Sequence, residues 1–390
     1  MPTLARTQKS MTDFDAFYVA GLMYWDGDLY DAYSFRSLFE AQKRFIGEDS
    51  FDADSFMPWT YPPPFNLVTA ALAAMPIGLS YLLFTGGTFI AYLAVLRRIA
   101  GVHTGSVLFA IFPVLALNIR SGQNGFLTGA LIGIFLLQYI RNQPSGGIAL
   151  GAMIFKPHLA VGSAVLALAE RRWGRILIAG ATAMALLAIS TLVFGFGIWE
   201  AFATSVDEAR LFLSLGYYPM FRMTSVYATL QTAGFEPNTC LVVQLAAAVL
   251  ACVAIGVAAY KGKDRRQVAA VAAFASLFVS PYSYDYDLTI LGLAAALLMP
   301  HLLERAGQLR LVGMTALCWL ATGWGLALSI TNEQAPGSSG AGAYDQSIGS
   351  LALAALALLT WLSLRNSSGP AAQKDQAVLR PDNAKIDASR

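Results

Sequence analysis

This chain is short of charge. Asp, Glu, Lys and Arg make up 13% of its residues, about half of the roughly 25% found in an ordinary soluble domain. With a hydrophobic share of 56%, that shortage excludes a soluble enzyme. Cysteine is equally sparse. Cys240, Cys252 and Cys318 sit in or beside apolar runs without metal-like spacing and read as small packing residues. His103, His158 and His301 are too far apart in sequence to outline a metal site. The basic residues occur singly or in short clusters, so the formal charge of +2 points to no nucleic-acid partner. No internal repeat is visible, which counts against transporters built from inverted halves.

What the chain does have is long apolar runs, at about 62–96, 102–119, 125–140, 147–169, 175–195, 238–259, 267–279, 286–300, 309–330 and 347–364. Most reach the length needed to cross roughly 30 Å of hydrocarbon. Prolines interrupt two of them and separate two others. Pro76 divides the first run, Lys156-Pro157 divides 147–169, and Ser280-Pro281 separates 267–279 from 286–300. Proline removes a backbone donor and pushes the preceding residue away from helical geometry. The expectation is an all-α polytopic membrane protein with about 9–11 membrane segments, some of them broken or re-entrant.

Lys and Arg near span ends are retained in the cytoplasm. Arg97-Arg98, Arg141, Arg171-Arg172 with Arg175, Lys261 to Arg266, Arg305 with Arg310, and Arg365 mark successive loops. An even number of crossings separates each cluster from the next, provided that 147–169 turns back at Lys156-Pro157. Half of the 26 basic residues then lie in cytoplasmic loops, and three quarters of the 24 acids lie opposite. Residues 1–61 become an outer-face loop carrying an interfacial amphipathic helix, 62–365 a transmembrane bundle, and 366–390 a disordered cytoplasmic tail. Arg6 and Lys9 fall outside in this threading. Nothing before Asp13 is apolar enough to carry the N-terminus across, so an upstream span is expected.

The polar residues at span ends all land on that outer face. They include Asp13, Asp15, Asp26, Asp28, Asp31, Gln123, Asn124, Lys156, His158, Arg222, Asp285 and Asp287. Ionisable groups at the membrane are functional candidates, and their convergence suggests one active face. Phe14, Phe17, Tyr18, Gly21, Leu22 and Trp25 keep helical spacing behind Asp13. Asp13 reads either as the N-cap of that helix or as a general base for an incoming hydroxyl. Trp59 to Pro64 includes Tyr61 and opens the first span, with aromatics at the interface. Gln123 and Asn124 can satisfy loose helix ends or bind a sugar or phosphate. Lys156 stands inside an apolar run, where a charge needs a polar cavity or partner, and could neutralise a phosphate. His158 either assists it or packs. Arg222 is a loop arginine on the same face. Tyr284, Asp285 and Asp287 lie in a Tyr-rich acidic turn suited to carbohydrate hydroxyls, or to an interfacial belt.

The ordered set Asp13-Phe14…Phe17-Tyr18, Gly27…Tyr30-Asp31, Tyr61-Pro-Pro, Gly122-Gln-Asn-Gly, Lys156-Pro and Ser280-Pro-Tyr…Asp285-x-Asp287 resembles glycosyltransferase family 87. The resemblance implies a GT-C-like helical bundle with a non-cytoplasmic active face, in a multi-pass plasma-membrane protein. It implies inverting transfer of a sugar, mannose-like or another hexose or pentose, from a polyprenyl-phosphate donor to an envelope lipid or glycan acceptor. The family's first-loop acid matches Asp13, which would be the base. Lys156, Arg222, Gln123, Asn124 and His158 would then hold the donor phosphate, and Asp15, Tyr61, Tyr284, Asp285 and Asp287 the sugar or acceptor. The chain departs from the family in lacking a span before the first loop, and in having Tyr286 and Asp287 where relatives tend to carry histidine. No cofactor is required by this scheme. A divalent cation on Asp15, Asp285 and Asp287 is the remaining candidate, since such ions prefer oxygen donors.

Two other classes compete. A flippase or transporter of a lipid-linked or small polar substrate would line a path open to both faces, and an envelope scaffold would tolerate loss of Asp13 or Lys156.

Overall fold

The computed structural model describes residues 11–47, 51, 56–262, 264–333 and 346–365. The expected tail 366–390, most of the loop 331–346, and the segment carrying Arg6 and Lys9 lie outside the described residues.

Five helices are long and apolar enough to cross a membrane, and four shorter apolar helices accompany them. The chain begins with α1 (Asp13–Trp25), whose N-cap is Thr12. That corrects the placing of Asp13 as the cap, because a Thr one residue earlier closes a reciprocal capping box with Asp15. Nor is α1 amphipathic. Phe14 and Phe17 of its stripe are buried, but Trp25 is exposed, and Asp15, Ala16, Val19 and Ala20 on other sides are buried too. The amphipathic helix is α2 (Phe35–Ile46), which buries Phe35 and Leu38 and exposes Arg36, Glu40 and Arg44.

After the strap Trp59–Pro64 comes α3 (Asn66–Ala73), stopped before Pro76. Then α4 (Ile77–Tyr81), a π-turn and α5 (Gly87–Ala100) form one rod. Gly101, at φ +58° and ψ −124°, ends it, so α6 (Thr104–Ala110) is a separate element. With α7 (Phe112–Ser121) it leads back to a left-handed Gly122 and into α8 (Gly125–Ile140).

The run 147–169 is a hairpin, as its proline requires. Helix α9 (Gly146–Ala152) with its extension to Phe155 rises only about 15 Å, and Lys156 leaves helical geometry before α10 (Pro157–Ala169). Both outer ends of the hairpin return to the C-terminal end of α8. Gln143 accepts from Arg175, in α11 (Trp173–Phe194), and Glu170 accepts from the Tyr139 hydroxyl. Lys156 therefore sits at the apex of a re-entrant loop.

The expected loop 196–237 is largely helical, comprising α12 (Gly197–Leu215) and α13 (Val226–Thr232). Its acids and short apolar stretches hid that, though Glu200 in the first turn and Gly216 at φ +75° are ordinary helix boundaries. The remaining helices are α14 (Pro237–Lys261), α15 (Arg265–Ser276), α16 (Thr289–Arg305), α17 (Gln308–Glu333) and α18 (Gly349–Arg365). A second hairpin joins α15 to α16, with residues 280–287 at its apex. At its base Asp264 meets His301 at 3.1 Å.

The bundle thus has two chemically different ends. At one, Arg266 donates to the Ile99 and Ala296 carbonyls at 2.8 and 3.3 Å, while Arg175 and Arg265 lie over the Tyr139 ring. Cations there complement the C-termini of α5 and α8. At the other end sit the carboxylates, the amides and Lys156.

Candidate active site

Helix packing brings six separate stretches of chain to this second end. Because Thr12 and Asp15 satisfy the end of α1, the Asp13 carboxylate on its first turn is released from capping. Gln123 Nε2 donates to Asp13 Oδ1 at 3.1 Å, and Arg222 Nη2 lies 3.9 Å from Oδ2. Asp13 keeps 13% side-chain exposure, open enough to be reached by a substrate hydroxyl.

Gln123 is oriented from behind. Its Oε1 accepts from the Tyr61 hydroxyl at 3.1 Å and from the Asn124 backbone at 2.8 Å, while Asn124 Nδ2 donates to Tyr61 at 2.9 Å. Burial, with Asp287 and Asp13 adding to it, pushes the Tyr61 phenol well up from its ordinary value. It therefore stays a neutral donor. The strap carrying Tyr61 is anchored by Asn66, which accepts from Trp59 Nε1 at 3.0 Å and donates to Tyr33 at 2.9 Å. Tyr33 in turn donates to the Tyr61 carbonyl at 2.9 Å.

Two cations flank the Tyr286 ring. Lys156 Nζ is 4.7 Å from its centroid and the Arg222 guanidinium 5.8 Å. Each has its own counter-ion: Lys156 meets Asp287 Oδ1 at 2.8 Å, and Arg222 meets Asp285 at 3.3 and 3.4 Å. Both aspartates are 1% exposed, so neither lies open to a sugar in this state. Burial opposes the Arg222 charge, but Asp285 and Asp13 outweigh it and hold the guanidinium above its ordinary range. Tyr284 stacks on Tyr286 at 5.2 Å with only 6° between the rings. The Arg222 turn is joined to this hairpin by Thr224 N–H donating to the Ser283 carbonyl at 2.7 Å.

The structure therefore unites Asp13, Tyr61, Gln123, Asn124, Lys156, Arg222, Tyr284, Asp285 and Asp287. It leaves others out. Asp15 is buried in the capping box, and His158 is half-buried one residue past Pro157, without a hydrogen bond among the described residues. Asp26, Asp28 and Asp31 are exposed beyond the far end of α1, roughly 20 Å from Asp13. Asp15, Asp285 and Asp287 do not converge. No group of three or more metal-ligating side chains forms among the described residues.

Three contributors escape sequence reasoning: Asn66, Tyr286 in its place between the cations, and Gly325. A Cβ on Gly325 would run into the Asp285 carboxylate and the Arg222 backbone. Small residues around it in α17 are the one available signal. Gly325→Ala is expected to destabilise the protein by about 1–3 kcal/mol through overpacking and to lower activity by displacing Asp285. Thermal unfolding alongside an activity assay checks both.

The family model of glycosyltransferase family 87 matches residues 59–281, more than half of the chain. The chain belongs to glycosyltransferase family 87. It is a membrane glycosyltransferase. The family 87 match takes in Tyr61, Gln123, Asn124, Lys156 and Arg222, while Asp13, Asp285, Asp287 and Gly325 join the site from outside it. No curated protein and no solved structure matches the chain.

Proposed function

We propose that this glycosyltransferase moves a sugar, mannose-like or another hexose or pentose, from a polyprenyl-phosphate donor to an envelope lipid or glycan acceptor, with inversion. The observation that carries this reading is one partly open carboxylate, Asp13, beside a buried lysine, Lys156, and an arginine, Arg222, as open as Asp13 itself. In the proposed step the Asp13 carboxylate takes the proton of the acceptor hydroxyl. The acceptor oxygen bonds to the anomeric carbon as the bond to the phosphate oxygen breaks. The released electron pair stays on that phosphate, stabilised by Lys156 and Arg222. Asp285 and Asp287 hold these cations while the site is empty and yield them to the phosphate. Gln123 and Asn124 orient Asp13 and Tyr61.

The cluster of Arg175, Arg265 and Arg266 at the opposite end supports a non-cytoplasmic active face in the plasma membrane, since basic span ends are retained in the cytoplasm. Asp15, Asp285 and Asp287 are each already engaged, by Thr12, Arg222 and Lys156, which favours fixed cations over a bound metal. Transfer is therefore expected to persist in excess EDTA, and loss restored by magnesium or manganese would reverse that assignment.

The direct test is sugar transfer by purified protein from a panel of polyprenyl-phosphate sugars to envelope-lipid acceptors. Stereochemistry at the anomeric carbon is read by NMR. Product of inverted configuration supports the reading. Retained configuration would remove the single-displacement step, and movement of lipid-linked sugar across vesicles without transfer would favour a flippase.

A further inference from the structure

Helix α5 carries a second feature, at the end of the bundle away from Asp13. Ile90, Leu93, Ala94, Arg97, Arg98 and Gly101 recur at i, i+3, i+4, i+7, i+8 and i+11, and so share one helical face. With Thr104 they line a groove of about 820 Å³. Its wall is apolar for two turns and ends in two exposed arginines at the last turn. Neither arginine has a hydrogen-bond or ion-pair partner among the described residues. Ile90 is 67% exposed and belongs to a span apolar enough for the membrane, so lipid is the solvent at this wall. The turn at Gly101 ends α5 just past the two guanidinium groups.

An occupant must therefore place an anion beside Arg97 and Arg98 and run an apolar chain back along α5, about 10 Å to Ile90. We propose that this groove is a specific site for one anionic phospholipid of the leaflet at the arginine-rich end. Its phosphate would sit between Arg97 and Arg98 and its acyl chain against Leu93, Ala94 and Ile90. This site is separate from the sugar-transfer centre and does not depend on the reaction assigned there. Neutral phospholipids offer the same chains without the net charge. Free phosphate offers the charge without the chain.

The test uses the full chain in nanodiscs of equal phosphatidylglycerol and phosphatidylcholine, released and weighed by native mass spectrometry. The natural protein is expected to retain one phosphatidylglycerol, and excess inorganic phosphate should not displace it. Arg97→Gln/Arg98→Gln should hold that lipid roughly thirty-fold more weakly, from the usual contribution of two basic residues at an anionic surface. Ala94→Trp keeps both arginines but fills the groove, and should lose the lipid too. Arg141→Gln removes an exposed charge outside the groove and should retain it. Equal retention of both lipids, retention by Ala94→Trp, or equal loss in Arg141→Gln would overturn the site, as would a dimer covering the groove without lipid. Ala94→Trp, being at an exposed position, keeps the question open to refutation even if the double variant folds poorly.

Discussion

Asp13→Asn is expected to lower sugar transfer by about 10²–10⁴-fold, the range lost with a general base, while leaving the thermal midpoint nearly unchanged. The second half of that expectation comes from the capping geometry. Thr12 and Asp15 hold the end of α1, so Asp13 has no cap to lose. Its neighbours Gln123 and Arg222 face it across 3.1 and 3.9 Å, and an amide can still accept from Gln123. Asp15→Asn makes the contrasting variant. It weakens the capping box, which costs about 0.5–2 kcal/mol, without touching the reacting atoms. Single-turnover transfer and thermal unfolding of both variants separate the roles. Transfer that survives in Asp13→Asn would remove Asp13 as the base.

Lys156→Met is expected to abolish transfer and also to destabilise the fold by about 3–5 kcal/mol, since it strands a buried Asp287 without its partner. Both side chains are buried and 2.8 Å apart, so loss of activity in that variant alone would not distinguish chemistry from folding. The paired substitution does. Lys156→Met with Asp287→Asn removes both charges at similar volume and should recover most of the stability. Replacing a buried ion pair by neutral groups is often close to neutral. Transfer should stay lost, because the leaving phosphate still lacks its ammonium. Recovery of transfer in the double variant would reduce Lys156 to a counter-ion of Asp287.

Parts of this site were open to reading along the chain. The break at Lys156-Pro157 was legible because proline geometry is local, and a lysine in an apolar run signals itself by its desolvation cost. The same holds for the Gly122-Gln-Asn-Gly turn and for the acids after Ser280-Pro281. Roles were harder. Asp13 and Asp15 are two residues apart and chemically identical, and only the position of Thr12 assigns one to the cap and the other to the cavity. Asp285 and Asp287 are held by Arg222 and Lys156, partners 63 and 131 residues away, which no local pattern announces.

The sequence by itself determined the helical membrane class, the two proline-broken hairpins and the clustering of basic residues at some span ends. Each follows from hydropathy, backbone sterics or charge over one or two turns of chain. Tertiary structure alone decided which polar residues meet. Ion pairs and hydrogen bonds act over 3–4 Å, and residues that distant in sequence reach that range only when helix packing sets the depth and rotation of every apex. It also chose α2 over α1 as the amphipathic helix, because burial of residues on several sides of α1, Asp15, Ala16, Val19 and Ala20 among them, depends on α3 and its neighbours. Gly325 joined the site for the same reason: its lack of a side chain matters only where α17 crosses Asp285.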